Sequence, residues 1–362
     1  MRTAGIVNRL WYGTGGYVER SLLAVLLVPS LLYAGIMQLR SWCYRNGLLA
    51  SRCLPRPVIS IGNLTVGGTG KTPVTTHLAR YLLEKGLRVV VLSRGYGGSL
   101  EGQCRVVSDG TTLFETPDAC GDEPYLLASS VAGLAVVIGS DRYRAGLLAL
   151  ERLQPDLFLL DDGFQHIRLQ RDLNILLLDG TAPFGNGHVL PAGPLREPCS
   201  ALQRCDLVIY TRCATTPTQR DQRIALLPAC SARYRLAGFY RITDGSEVAA
   251  GHLAGERTVA CAGIAQPDSF FDGLAQIGLQ PVAVAALADH ADYSASVVAG
   301  LRELAARHAA NWLLTTEKDV VKLRRFQDDL PGITILAARL ALEFHDEECL
   351  RQAVDKVLSK PA

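Results

Sequence analysis

Residues 65–72 read Thr-Val-Gly-Gly-Thr-Gly-Lys-Thr. Closely spaced glycines let main-chain N–H groups approach phosphate oxygens. A lysine after them reaches the β- and γ-phosphates, and the next hydroxyl can ligate magnesium. An apolar run at 58–61 precedes the segment and a helical pattern at 72–85 follows it. The loop is thus expected between a strand and a helix, whose N-terminus adds partial positive charge. Thr65, Val66, Gly67, Gly68, Thr69, Gly70, Lys71 and Thr72 are the candidate nucleotide-binding residues. The strict phosphate-loop pattern places glycine at position 65. Here Thr65 stands there, and Gly67 and Gly68 supply the flexibility.

Such a loop needs a carboxylate beside the metal, at the end of a neighbouring strand. Residues 157–160 are apolar and lead into Asp161 and Asp162, the Walker B arrangement. Either aspartate alone would as readily cap a helix. Two together at the carboxyl end of a strand, the ligand edge of parallel sheets, favour metal support. These parts bind a nucleotide without stating its purpose. A guanine reader carries a spacer between Lys and Asp in its later motif, and Thr316-Glu317-Lys318-Asp319 has none. A partition-type ATPase carries a lysine where this chain has Val66.

Charge narrows the function further. Thirty-seven Lys+Arg against 35 Asp+Glu leave a formal +2 over 362 residues, so no nucleic-acid binding through bulk charge is expected. A composition 48% hydrophobic and 20% charged excludes intrinsic disorder. The length suggests two domains. None of the ten cysteines forms a C-x-x-C pair, which argues against zinc-ribbon and thioredoxin-like sites; a chain this long, with its own core and no secretory cleavage site, is expected to keep its thiols reduced and cytosolic.

The elements that must position these residues are short apolar runs alternating with helical stretches. Strands are expected at 58–61, 89–92, 135–138, 157–160, 175–178 and 207–210. Runs apolar on both faces suit a buried parallel sheet with crossover helices, hence an α/β, doubly wound, mostly parallel core. Asp244-Gly245 marks a turn near 238–246. A second, smaller α/β unit follows, with strands at 258–264 and 312–315 and helices at 269–277 and 295–309. The expected division is 1–45, an N-terminal membrane-associated segment; 46–236, the core; 237–250, a hairpin-like linker; and 251–362, the smaller domain.

Residues 22–37 carry no charge, with Trp11, Tyr12 and Tyr17 before them and Trp42 and Tyr44 after. The run is slightly short for a square bilayer crossing. Its basic downstream flank disfavours a signal peptide. A buried core helix competes with a membrane anchor that lies in the interface or barely spans. The anchor reading, with arginines at 40, 45, 52 and 56 after the run, places the remainder on the cytoplasmic side.

Several motifs, in order, resemble the tetraacyldisaccharide 4′-kinase family: Gly62-Asn63 with GGTGKTP (67–73), SRGYGG (93–98), GDEP (121–124), SDR (140–142), DDGFQH (161–166), GPLREP (193–198), AGIAQPDSFF (262–271), DH (289–290) and TTEKD (315–319). The resemblance runs from about residue 10 to about 325. It implies an ATP- and magnesium-dependent kinase of lipid A biosynthesis, phosphorylating the 4′-hydroxyl of an acylated glucosamine disaccharide 1-phosphate. It implies a P-loop core joined to a smaller α/β domain by a two-stranded linker, at the cytoplasmic face of the inner membrane, with no obligatory protein partner. Lys71 and Thr72 match the ATP and magnesium contacts, and Asp161 the Walker B acid. Glu197 resembles a further acid near magnesium, and Arg196 a group near the phosphates. Asp122 and His290 resemble a catalytic dyad, with Asp162 orienting it. Arg94, Tyr96, Arg142, Gln165 and His166 match positions of substrate or active-site contact.

A sugar hydroxyl is a poor nucleophile, so a positioned base helps. Asp122 is the candidate base, and His290 its partner across the domain boundary, so domain closure would assemble the site. Arginines suit bidentate phosphate contact. The alternative is a P-loop NTPase that switches or handles a partner without a small-molecule acceptor.

Overall fold

The computed structural model describes residues 7, 9–13, 16–213, 215, 217, 220–289 and 291–359. His290 and the first six residues of the N-terminal segment lie outside the described residues.

The uninterrupted apolar runs become strands buried on both faces. β1 (Val58–Asn63), β2 (Val89–Ser93), β3 (Arg105–Asp109), β4 (Ala135–Ile138), β5 (Leu157–Asp161), β6 (Leu173–Asp179) and β7 (Leu207–Thr211) form the first half. β8 (Ala229–Arg241), β9 (Glu247–Val248), β10 (Thr258–Ala262), β11 (Ala283–Ala286), β12 (Trp312–Thr316) and β13 (Thr334–Phe344) complete a single sheet. Its order is β11-β10-β12-β13-β8-β7-β6-β1-β5-β2-β4-β3, with β9 on β8. Pairing is parallel except at β13/β8, β8/β9 and the edge pair β3/β4. The expected doubly wound, mostly parallel α/β architecture is present.

Alternate residues of each strand feed opposite cores. Ile59 and Ile61 pack with Val74, Leu78 and Leu82 of α2 (Lys71–Glu84). Val58 joins Phe158, Leu160 and the Ala145/Ala149 face of α5 (Arg142–Leu153) on the other side. β1 lies between β5 and β6, with Ile61 opposite Asp161. That register sets the loop after β1 beside the acids at the end of β5.

The link between the halves is longer than the turn signal suggests. Ala229–Ala232 of β8 pair with β7, and the strand then runs on beside β13 from Ala232/Phe344 to Arg241/Leu336. Asp244-Gly245 does turn the chain, Gly245 having φ 73°, but into the two-residue β9. The long antiparallel partner of β8 is β13, about a hundred residues later, where no local turn chemistry points. After it α9 (Glu348–Leu358) returns to the first half, burying Leu350, Val354 and Val357 against the β1 core.

At the other end, α1 (Tyr17–Arg45) is one helix with Pro29 inside it. Its segment from Glu19 to Arg45 is long and apolar enough to cross a membrane by length and composition, and 6% of an 18-residue apolar stretch within it is buried. That exposure excludes the core-helix reading.

Candidate active site

The phosphate loop leaves β1 and enters α2 through Gly70, which caps the helix at φ 79°. A Cβ there would overlap the Tyr234 hydroxyl, so both the backbone and the neighbour demand glycine. The loop carbonyls are held from behind. Tyr234 donates to Thr69 O (3.2 Å) and Gly70 O (3.4 Å), Thr211 Oγ1 donates to Thr69 O (3.1 Å), and Arg212 donates to Gly68 O. Arg212 is itself fixed by Asp179 at 2.6 Å and takes φ 61°. Tying the carbonyls back favours presenting loop N–H groups to an anion, as a phosphate cradle needs. Gly62, at the end of β1, also has a steric reason: an added Cβ would lie 2.7 Å from the Phe164 backbone nitrogen.

The two acids at the end of β5 diverge because Asp162 turns the backbone into the left-handed region at φ 52°. Asp161 stays under the sheet edge, 2% exposed, and accepts from Thr75 Oγ1 at 3.1 Å. Burial, reinforced by the charges of Glu123 and Asp162, raises its pKa. Asp162 points outward to Lys71 Nζ (3.8 Å) and takes two bonds from Arg196 (3.0 and 2.8 Å). Burial would raise its pKa too, but Lys71 and Arg196 outweigh that and hold it low.

Glu197, buried at the next position of the same loop, pairs with Arg204 at 2.7 Å and lies 3.9 Å from Arg40 of α1. Its Oε1 has no hydrogen-bond partner, nor do Thr69 Oγ1, Arg142 Nε and His166 Nε2. Orphaned buried polar atoms around one cleft are what a bound ligand or ion would satisfy. Among the described residues no group of three or more His, Cys, Asp or Glu could hold a metal. A magnesium site does not need one: that ion keeps waters and substrate phosphates and takes one or two carboxylates. Thr72, Asp161 and Glu197, all lining the same cleft, are oxygen donors of the kind that ion takes.

These groups share one cleft of about 1560 Å³ between the two halves. Of the expected residues it is lined by Val66, Gly67, Gly68, Gly70, Lys71, Thr72, Arg94, Tyr96, Arg142, Asp161, Asp162, Gln165, His166, Arg196 and Glu197. Thr65 and Thr69 are buried beneath the loop. Gln165 bonds Asn63 O (2.7 Å), and Arg94 pairs with Glu101 (3.3 Å). Arg142 is almost wholly buried, and burial lowers its pKa to about 10. Burial and Arg142 bring His166 down to about 4, so it is neutral at pH 7. Asp122 opens α4 (Asp122–Ser130) and pairs with Lys322 at 2.8 Å. Its neighbours Glu123 and Pro124 line the cleft.

Sequence reasoning missed the groups behind the loop. Thr211 ends β7, Arg212 follows it and Tyr234 lies within β8; all are far along the chain and carry no motif. Position at the carboxyl end of a strand was a signal for Thr211 and Arg212 only; Tyr234, inside β8, had none. It also missed the inner face of α1, where Tyr33 donates to Arg196 O (2.8 Å) and Arg40 to Gln165 O (3.1 Å).

Comparison with known proteins finds relatives over most of the chain. A family profile described as tetraacyldisaccharide-1-P 4′-kinase matches residues 22–359. A tetraacyldisaccharide 4′-kinase of Pelobacter propionicus is 53% identical over 345 residues, covering 94% of each chain. One of Geobacter sulfurreducens is 52% identical over 343 residues, covering 95% of this chain and 96% of its own. A crystal structure of LpxK from Aquifex aeolicus in complex with ATP superposes with a TM-score of 0.78 at 34% identity, covering 93% of this chain and 99% of that one.

Proposed function

The chain belongs to the tetraacyldisaccharide-1-P 4′-kinase family, and from that premise we propose that it transfers the γ-phosphate of ATP to the 4′-hydroxyl of an acylated glucosamine disaccharide 1-phosphate. The observation that carries this reading is the single cleft. It joins Lys71, Asp161, Asp162 and Arg196 to the inner face of an N-terminal helix that exposes apolar side chains.

In this reading residues 67–70 cradle the triphosphate through main-chain N–H groups, and Lys71 meets the β- and γ-phosphates. Thr72, Asp161 and Glu197 would hold magnesium, which when bound neutralises phosphate charge. Asp162 keeps Lys71 and the Arg196 fork aimed at the transferred group. The transition state is loose, so the protein's task is mostly alignment and charge. Asp122, partnered by His290, takes the 4′-hydroxyl proton as the oxygen–phosphorus bond forms and the bond to the ADP oxygen breaks. Arg94, Arg142, Tyr96, Gln165 and His166 would contact the acceptor sugar and its 1-phosphate. The outer face of α1 would rest in the cytoplasmic leaflet of the inner membrane. There the acceptor's acyl chains need not leave the bilayer, each CH₂ kept from water being worth about 0.8 kcal/mol.

The test uses γ-labelled ATP, magnesium and the disaccharide 1-phosphate in mixed micelles. Label is expected in the glycolipid and absent with Lys71→Ala. Label in free phosphate alone would favour an NTPase that handles a partner instead.

A further inference from the structure

The TTEKD segment at the end of β12 has no part in the reading above. Asp319 is used inside the smaller half, where it accepts from Gly263 N and the Thr316 hydroxyl. The cations that follow face the other way. α8 (Glu317–Leu323) lies against the region of α3 (Pro117–Cys120) and α4. Lys318 Nζ is 3.8 Å from Glu123 and 3.4 Å from Asp289. Lys322 Nζ is 2.8 Å from Asp122, and Arg325 reaches Asp118 at 3.1 Å and Asp292 at 3.2 Å. Acids in the order 118, 122, 123 thus oppose cations in the order 325, 322, 318, as an antiparallel seam across the two halves.

The pairs are not equivalent. Asp118 and Arg325 are 75% and 41% exposed, a setting in which ion pairs are worth little. Asp122 and Lys322 are 11% and 17% exposed. Lys322 also donates to Ala291 O at 3.2 Å. One ammonium therefore joins the carboxylate at the start of α4 to the Ala291 carbonyl of the opposite half.

We propose that Lys322 is a positioning residue for phosphoryl transfer, holding the Asp122 carboxylate at the seam in the place where it accepts the acceptor's proton. The inference rests on the reading of Asp122 as base. In a reaction governed by alignment, a displacement of about 1 Å in such a group costs up to about a hundredfold in rate. A shielded pair kept for stability alone would be replaceable by apolar side chains of similar volume. This one sits at the proposed base.

The experiment is a double-mutant cycle on the full chain, with kcat, KM for ATP and ATP affinity measured for each variant. Lys322→Met is expected to lower kcat at least about tenfold with KM for ATP within about twofold, and Lys322→Arg to recover most of the loss. In the Asp122→Asn background, adding Lys322→Met is expected to change kcat by less than about twofold, because the group it positions is already gone. Unchanged ATP affinity establishes that the variants are folded. A Lys322→Met rate within twofold of the unsubstituted chain would overturn the inference, as would an equal loss in both backgrounds. An Asp122→Asn variant with an undiminished rate would overturn the base reading itself and this inference with it.

Discussion

The cleft turns on how neighbouring titratable groups are driven apart. Asp161 and Asp162 are adjacent in sequence, yet one is raised by burial and the other held low by Lys71 and Arg196. A single left-handed residue at 162 separates the two environments. His166 shows the same control in a neutral group. Burial and the nearby Arg142 bring it from 6.5 to about 4. Between those values the unfolded chain binds a proton that the folded chain refuses. Stability therefore rises with pH across the window and is lost on acidification. At about 1.4 kcal/mol per unit, the contribution lost between pH 6.5 and 5 is at most about 2 kcal/mol. Denaturant titrations at pH 7 and pH 5 should show His166→Gln losing less stability than the parent. Equal losses would mean that the imidazole is not desolvated.

Elements decide whether these residues meet. The parallel strands were legible because burial on both faces leaves an unbroken apolar run, as at 89–92 and 157–160. The motif residues on their carboxyl ends were legible for the same reason: strand, loop and helix follow one another within twenty residues. β8 and β13 gave no such signal. Each is buried over only part of its length and half-buried or exposed over the rest, and their pairing joins residues about a hundred positions apart. β3 and α9 were missed likewise, as a short antiparallel edge and a helix that returns from the far half. Tyr234 was invisible with its strand, though it dictates the residue at position 70. Gly70→Ala tests that dependence. The left-handed backbone alone costs an L-residue about 1–2 kcal/mol, and the overlap with Tyr234 must shift either the loop or β8. ATP affinity should fall at least about tenfold, and a Tyr234→Ala partner, which opens the space, should recover only the steric share. Full recovery would show that the backbone angle is not the constraint.

At the scale of the whole molecule, α1 is arranged the wrong way round for a soluble protein. Ser30 is buried and donates to Val189 O at 2.7 Å, while Val25, Val28, Leu32, Ile36 and Leu39 are each 60–70% exposed. The semi-buried positions recur every three or four residues and hold Tyr33 and Arg40, which touch the loops carrying Arg196 and Gln165. One face of the helix thus braces the cleft while the other presents a continuous apolar stripe. Such a stripe is unfavourable in water and calls for a cover. In the proposed function a bilayer would supply it, at the height of the acceptor. Removing a leucine from lipid and adding a charge should cost at least about 2 kcal/mol of membrane affinity per site. Leu32→Glu with Leu39→Glu should therefore move the protein from the pellet to the supernatant in vesicle sedimentation. Both side chains are mostly in solvent, so the melting temperature should hold. Transfer to an acceptor dispersed in detergent should persist, and transfer to one embedded in vesicles should fall. Undiminished sedimentation with vesicles would mean that the stripe is not what meets lipid.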